Sequence, residues 1–81
     1  MKQPTSDTTV LHRINSLSEE EERLYEHGDL SDHDRVRLET IRVELDQCWD
    51  LLRQRRARRE FGQNPDSAAV RPASVVEKYQ Q

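Results

Sequence analysis

The residues of this 81-residue chain whose types could do chemistry fall into four groups. The first is a run of arginines, Arg53, Arg55, Arg56, Arg58 and Arg59, broken only by Gln54 and Ala57. Guanidinium groups pair bidentately with carboxylates and phosphates, so such a cluster suits an anionic partner. On a helix these side chains spread over more than half the circumference and make a basic knob rather than a stripe. Cations at a helix C-terminus also complement the helix dipole with no partner at all. No aromatic residue interleaves the arginines for base stacking; Trp49 and Phe61 only flank them.

The second group is Glu19, Glu20, Glu21 and Glu22. Consecutive helical carboxylates diverge, so they neither form a catalytic pair nor converge on a cation, and a solvated face is expected. The third is Cys48, beside Trp49. A reactive thiol needs a basic neighbour. The expected neighbours of Cys48 are Ile14 and Leu45, so it reads as a small core residue. The fourth is His27, Asp29, Asp32, His33 and Asp34. Their spacing matches neither a His-x3-His pair nor a calcium loop, and helix capping explains the aspartates without a metal. His12 stands alone, and there is no Gly-rich phosphate loop or Ser/His/Asp arrangement. The reading is a non-enzymatic protein with no catalytic residue, metal, cofactor or small-molecule substrate.

Two helices must position these groups. Val10, Ile14, Leu17 and Leu24 recur at steps of four, three and seven, which is one helix face and not the alternation of a strand. With Ser6 or Asp7 as cap, the pattern predicts a helix over about 7–27, ended by Gly28 in the left-handed conformation. Ser31 and Asp34 then resemble a capping box, with Asp where Glu or Gln is usual. Leu38, Ile41, Leu45, Cys48, Trp49 and Leu52 predict a second helix over about 32–61. Gly62 stops it, and Asn64-Pro65 prevents a restart. In the tail, 63–81, Val75, Val76 and Tyr79 after Pro72 predict a short helix over about 73–80, with Pro72 suited to its first position.

Composition bounds the rest. Thirteen Lys/Arg against 16 Asp/Glu leave a net charge of -3. The distribution is uneven: residues 1–34 hold three Lys/Arg and nine acids, whereas residues 53–62 hold five Arg and one acid. Overall acidity argues against a general nucleic-acid coat protein, while the basic block keeps a focused anionic partner open. One cysteine excludes an internal disulfide and fits a reducing compartment. Met1 to Val10 is polar, with no signal-peptide core. No apolar run approaches the ~18 residues of a membrane span. A single small cytoplasmic domain, away from membranes, is expected.

A connection as short as residues 28–31 forces antiparallel neighbours. Folding about residue 31 pairs positions whose numbers total 62: Leu24 with Leu38, Leu17 with Leu45, Ile14 with Cys48, Val10 with Leu52. Glu21 falls opposite Ile41, and its carboxylate is expected to turn toward Arg42. The fold class is therefore all-α, an antiparallel, coiled-coil-like two-helix hairpin with a short C-terminal helical segment. Past about residue 54 the second helix outruns the first, so residues 55–61 project or are covered by the tail. Leu11, Tyr25 and Trp49 flank the seam on which Leu52 lies, and a two-layer hairpin cannot bury them all. Either a second copy covers them, giving a homodimeric four-helix bundle, or the tail does so with Val75, Val76 and Tyr79. The expected function is self-association and docking of an acidic or anionic protein partner through Arg53, Arg55, Arg56, Arg58 and Arg59. The alternative is RNA or ribosome association through the same arginines.

The run Leu45-Asp46-Gln47-Cys48-Trp49-Asp50-Leu51-Leu52-Arg53-Gln54-Arg55-Arg56-Ala57-Arg58-Arg59-Glu60-Phe61-Gly62 resembles domain of unknown function family 2630, small bacterial proteins found mostly in actinobacteria. Leu30 to Arg35 and Val70 to Glu77 are similar to that family as well. The resemblance covers nearly the whole chain and is most specific from Cys48 to Gly62. It implies a standalone cytoplasmic bacterial protein, carries over no catalytic residue, cofactor or partner, and makes the tail part of the domain.

Overall fold

Ser6 opens the first helix. Its backbone is extended and its hydroxyl accepts a hydrogen bond from the Thr9 N–H, so an orphan donor of the first turn is satisfied. In the computed structural model, which describes residues 6–77, helix α1 runs Asp7–Glu26, α2 Asp32–Glu60 and α3 Ala73–Val76. A single 3-10 turn, Pro65–Ser67, lies between α2 and α3. There is no strand among the described residues. Both long helices lie within a residue of their expected limits, because each ends at a glycine in the left-handed region: Gly28 with φ 80° and Gly62 with φ 71°.

The start of α2 is the capping box that Ser31 and Asp34 suggested. The Ser31 hydroxyl accepts from the Asp34 N–H at 3.1 Å, and the Asp34 carboxylate accepts from the Ser31 N–H at 3.3 Å. Asp serves in place of Glu, at the long end of the hydrogen-bond range. Ser31→Ala is expected to lower stability by about 1 kcal/mol. Urea denaturation should show a shifted midpoint with an unchanged slope; an unmoved midpoint would mean that the box contributes nothing.

The helices pair antiparallel. Asp7 meets Arg55, Arg13 meets Glu44 and Glu20 meets Arg37, so partners rise along α2 as they fall along α1. Their numbers total 62, 57 and 57, around the register read from the apolar stripe. At the open end, Val10, Ile14, Leu51, Leu52 and Ala68 form one buried cluster, with Leu45 and Cys48 packed against it. Toward the connection, Leu17, Leu38 and Ile41 are buried. Removing such a side chain from water contributes about 1.5–3 kcal/mol each, which is what holds a chain this rich in charge together. Glu21 does not reach Arg42 as expected; Arg42 is held instead by Glu39, Asp46 and Glu77.

The tail decides what becomes of the far end of α2. Ala68 joins the inter-helix cluster. The chain then crosses the side of α2 that turns away from α1. There the Gln54 amide donates to the Ala69 carbonyl at 2.8 Å and the Gln47 amide to the Arg71 carbonyl at 3.1 Å. Val76 is fully buried at the end of this strap. Residues 55–61 are thus flanked by the tail rather than projecting alone. Pro72 caps α3 instead of occupying its first turn; lacking an N–H, it leaves no donor to satisfy there. The expected helix over about 73–80 is described only as far as Val76, and Tyr79 lies outside the described residues.

Candidate interaction surface

The arginine run does not act as one knob, because two of its members are already paired. Arg55 is only 5% exposed. Its Nε donates to Asp7 Oδ1 at 2.7 Å, and its Nη1 donates to Asp66 Oδ1 at 3.0 Å and to the Pro65 carbonyl at 3.2 Å. Arg59 spans the same aspartate, with Nη2 to Oδ2 at 2.6 Å and Nη1 to Oδ1 at 3.2 Å. Hydrogen bonds from Arg59 first, then Arg55, hold the Asp7 carboxyl down to about 2. One aspartate at the start of α1 therefore ties down the end of α2, and the tail closes over the joint. This corrects the expectation that all five arginines face a partner: helix phase turns position 55 inward, and burial there demands a paired charge.

Arg53 and Arg56 are exposed and Arg58 is half-buried. Among the described residues none of the three makes an ion pair. Arg58 lines a shallow recess of about 220 Å³ with Gln54, Ala57, Phe61 and Gln63. Of the acidic block, Glu20 is taken by Arg37, whose hydrogen bonds hold its carboxyl below the usual range. Glu19 and Glu22 are exposed, as is Glu26 one turn further on.

The apolar residues expected to flank the seam do so. Leu11 is 39% exposed, Trp49 43% and Tyr25 60%, whereas Leu52 is buried in the core. Side chains on a helix advance by about 100° per residue, and this fixes the flank on which each lies. Arg13 and Glu20 share one side of α1, and Arg37 and Glu44 the matching side of α2, where they pair. Leu11 and Tyr25 fall on the opposite side of α1, and Trp49, Arg53 and Arg56 on the corresponding side of α2. The numbers of Leu11 and Trp49 total 60, so the register sets them at one level. All three apolar residues are exposed, although the tail comes round to their side of α2, where Glu77 pairs with Arg42, two turns before Trp49.

Sequence reasoning missed Asp50. Its side chain is buried to 1% exposure, yet it sits in a helix dense with charged residues. Arg71 binds it through both carboxylate oxygens, and the Gln54 amide donates to it at 2.9 Å. The Arg71 hydrogen bonds lower its pKa; burial opposes them. The available signal was a polar stripe, Gln47, Asp50 and Gln54, spaced as one helix face on the side away from the apolar stripe. Cys48 is half-buried and its thiol is pushed up by desolvation, so it is a packing residue and not an activated one. Among the described residues no group of three or more His, Cys, Asp or Glu is placed to hold a metal ion. Nor is any helix among them long and apolar enough to cross a membrane.

This geometry belongs to a recurring sequence. The family described as "Protein of unknown function (DUF2630)" matches residues 6–81. An uncharacterized protein of Mycobacterium tuberculosis strain H37Rv is 48% identical over 82 residues, covering 96% of this chain and 93% of its own length. An uncharacterized protein of Mycobacterium bovis matches to the same extent. No solved structure matches.

Proposed function

The chain belongs to the DUF2630 family, and from that premise we propose that it is a cytoplasmic, non-enzymatic interaction module. It self-associates and docks an acidic or anionic protein partner through the C-terminal half of α2. The observation that carries this reading is the division of the arginine run. Arg55 and Arg59 are satisfied within the fold, while Arg53, Arg56 and Arg58 lack an acidic partner among the described residues. A chain with more acids than bases holds Arg53 and Arg56 exposed on the same side of α2 as the exposed Trp49, and Trp and Arg are the residue types enriched where partners bind most tightly.

Titration with a polyglutamate peptide tests it. The triple variant R53A/R56A/R58A is expected to weaken binding by roughly ten-fold, from the summed loss of three exposed charge contacts, with helicity unchanged. Equal affinity of variant and wild type would remove the arginines from the reading. An RNA backbone offers the same anionic chemistry, and with three free arginines its affinity should fall with salt at a log–log slope of about -2. A slope that steep for RNA, with no uptake of the peptide, would favour the nucleic-acid alternative.

A further inference from the structure

The flank that carries Trp49 selects its occupant, and the choice rests on the docking role proposed for Arg53 and Arg56. Arg35, Arg42, Trp49 and Arg56 follow one another along α2 at steps of seven, which keeps them on one line of a helix. On α1, Leu11, Ser18 and Tyr25 do the same. The hairpin register sets these rows level: Leu11 with Trp49, Ser18 with Arg42, Tyr25 with Arg35. Only the first level is apolar on both helices. Toward the connection the row is already answered by charge. Arg42 is paired with Glu39, Asp46 and the tail's Glu77, and Arg35 has the exposed Glu22 beside it. Toward the open end it is not. Arg53 and Arg56, one and two turns past Trp49, are exposed and make no ion pair among the described residues. The acids nearest them are engaged, Asp7 by Arg55 and Arg59 and Asp46 by Arg42. Glu60, exposed one turn beyond Arg56, ends the cationic stretch.

We infer that this open end, made of Leu11, Trp49, Arg53 and Arg56, seats an acidic amphipathic helix of another protein. One apolar side chain of that helix packs on Leu11 and Trp49, and carboxylates one and two turns along it meet Arg53 and Arg56. The seven residues from Trp49 to Arg56 rise about 10 Å, the length of two helical turns. The partner therefore needs its anchor and its acids on one face at helical spacing, the mode in which an amphipathic helix is read by its apolar anchors. A guanidinium suits the acids, since it binds a carboxylate through two parallel hydrogen bonds. A second copy supplies no such complement: the row is basic at both ends, with Arg35 at one and Arg56 at the other, so a copy lays cation near cation whichever way it runs. Nucleic acid is the poorer fit, because two cations neutralise few phosphates and Leu11 offers a base no stacking face.

Trp49 is the one tryptophan of the chain, so its emission reports this site. Three peptides separate the anchor from the charge: polyglutamate, a helical peptide of leucine, glutamate and alanine with its leucines on one face, and an isomer of that peptide with the leucines spread round the helix. The amphipathic peptide is expected to bind about ten-fold more tightly than either of the others, from burial of its anchor, and to shift Trp49 emission to the blue. Leu11→Ala should abolish that advantage while leaving polyglutamate affinity unchanged, and R53A/R56A should weaken binding of all three. Equal affinities for the three peptides, or binding that leaves Trp49 emission unmoved, overturn the inference and leave the docking role of the arginines standing. Tight binding of the amphipathic peptide that R53A/R56A does not alter overturns both. A blue shift produced by concentrating the chain alone places a second copy on the flank and overturns the inference, and tighter uptake of single-stranded RNA than of the amphipathic peptide does so in favour of nucleic acid.

Discussion

Asp50→Ala is expected to destabilise the fold by about 2–3 kcal/mol and to loosen the tail, the largest effect of any change to a polar residue on α2 outside the arginine run. Asp50 sits at 1% exposure and accepts hydrogen bonds from Arg71 and Gln54. Removing its carboxylate takes away the charge that Arg71 was desolvated to meet. Arg71 keeps 35% of its side chain exposed, so water compensates in part, and the loss falls short of that for a fully buried pair. Asp50→Asn preserves shape and one acceptor, and about half the loss should return. Two readouts separate the effects. Urea denaturation reads global stability, and trypsin cleavage after Arg71 reads release of the strap. Wild-type cleavage kinetics in Asp50→Ala would show that Asp50 does not hold the tail.

The same pair sets an acid dependence. Asp50 and Asp7 both have folded pKa values below their ordinary 3.8, Asp50 because of Arg71 and Asp7 because of Arg59 and Arg55. Between the ordinary and the lowered values the unfolded chain binds more protons than the folded one. Stability from these groups is therefore complete above about pH 4 and is lost as pH falls, for Asp7 toward about 2. The stability gap between wild type and Asp50→Ala should narrow across that window. A gap of constant size would mean that folding leaves the Asp50 pKa unshifted, so that Arg71 does not favour its ionised form.

The hairpin was readable from the sequence because its determinants are local. Ser6, Gly28, Ser31 with Asp34 and Gly62 each act on backbone within one turn, and the apolar stripe repeats at the helical period. The short helix after Pro72 was readable as well, but the path of the tail was not, because its anchors are specific pairs far apart in sequence. Asp50 and Arg71 are separated by 21 residues, and neither stands out in a chain where 36% of residues are charged. Composition marks a residue as ionisable; only the position of the tail decides that this one is buried. Leu51 carries the same lesson. Standing next to Leu52, it widens the apolar face of α2 toward the side where Ala68 packs, and a stripe read as a single seam passes over it. The flank residues Leu11, Tyr25 and Trp49 were legible as surplus, since helix phase alone puts them beside the seam.

The arginine run is where a motif and a fold disagree most, and it gives the sharpest contrast between neighbouring residues. Arg55→Ala is expected to cost about 2–4 kcal/mol, whereas Arg56→Ala should change stability by no more than about 0.5 kcal/mol. At Arg55 a single guanidinium joins the start of α1 through Asp7, the 3-10 turn through Asp66 and the Pro65 carbonyl, and the end of α2 that carries it. Its removal empties a buried position and deprives three acceptors of a donor. Asp7 retains Arg59, which sets the upper limit of the loss. Arg55→Lys should recover little, because an ammonium cannot direct donors along the separate vectors to Asp7, Asp66 and Pro65 that a planar fork reaches. Arg56 has no ion pair among the described residues and stands in water, so its charge is available for binding rather than for folding. Chemical denaturation of Arg55→Ala, Arg55→Lys and Arg56→Ala under one set of conditions checks the ranking. Equal midpoints for the two alanine variants would show that the run is one exposed cluster after all, and that the pairing of Arg55 with Asp7 and Asp66 contributes nothing to the fold.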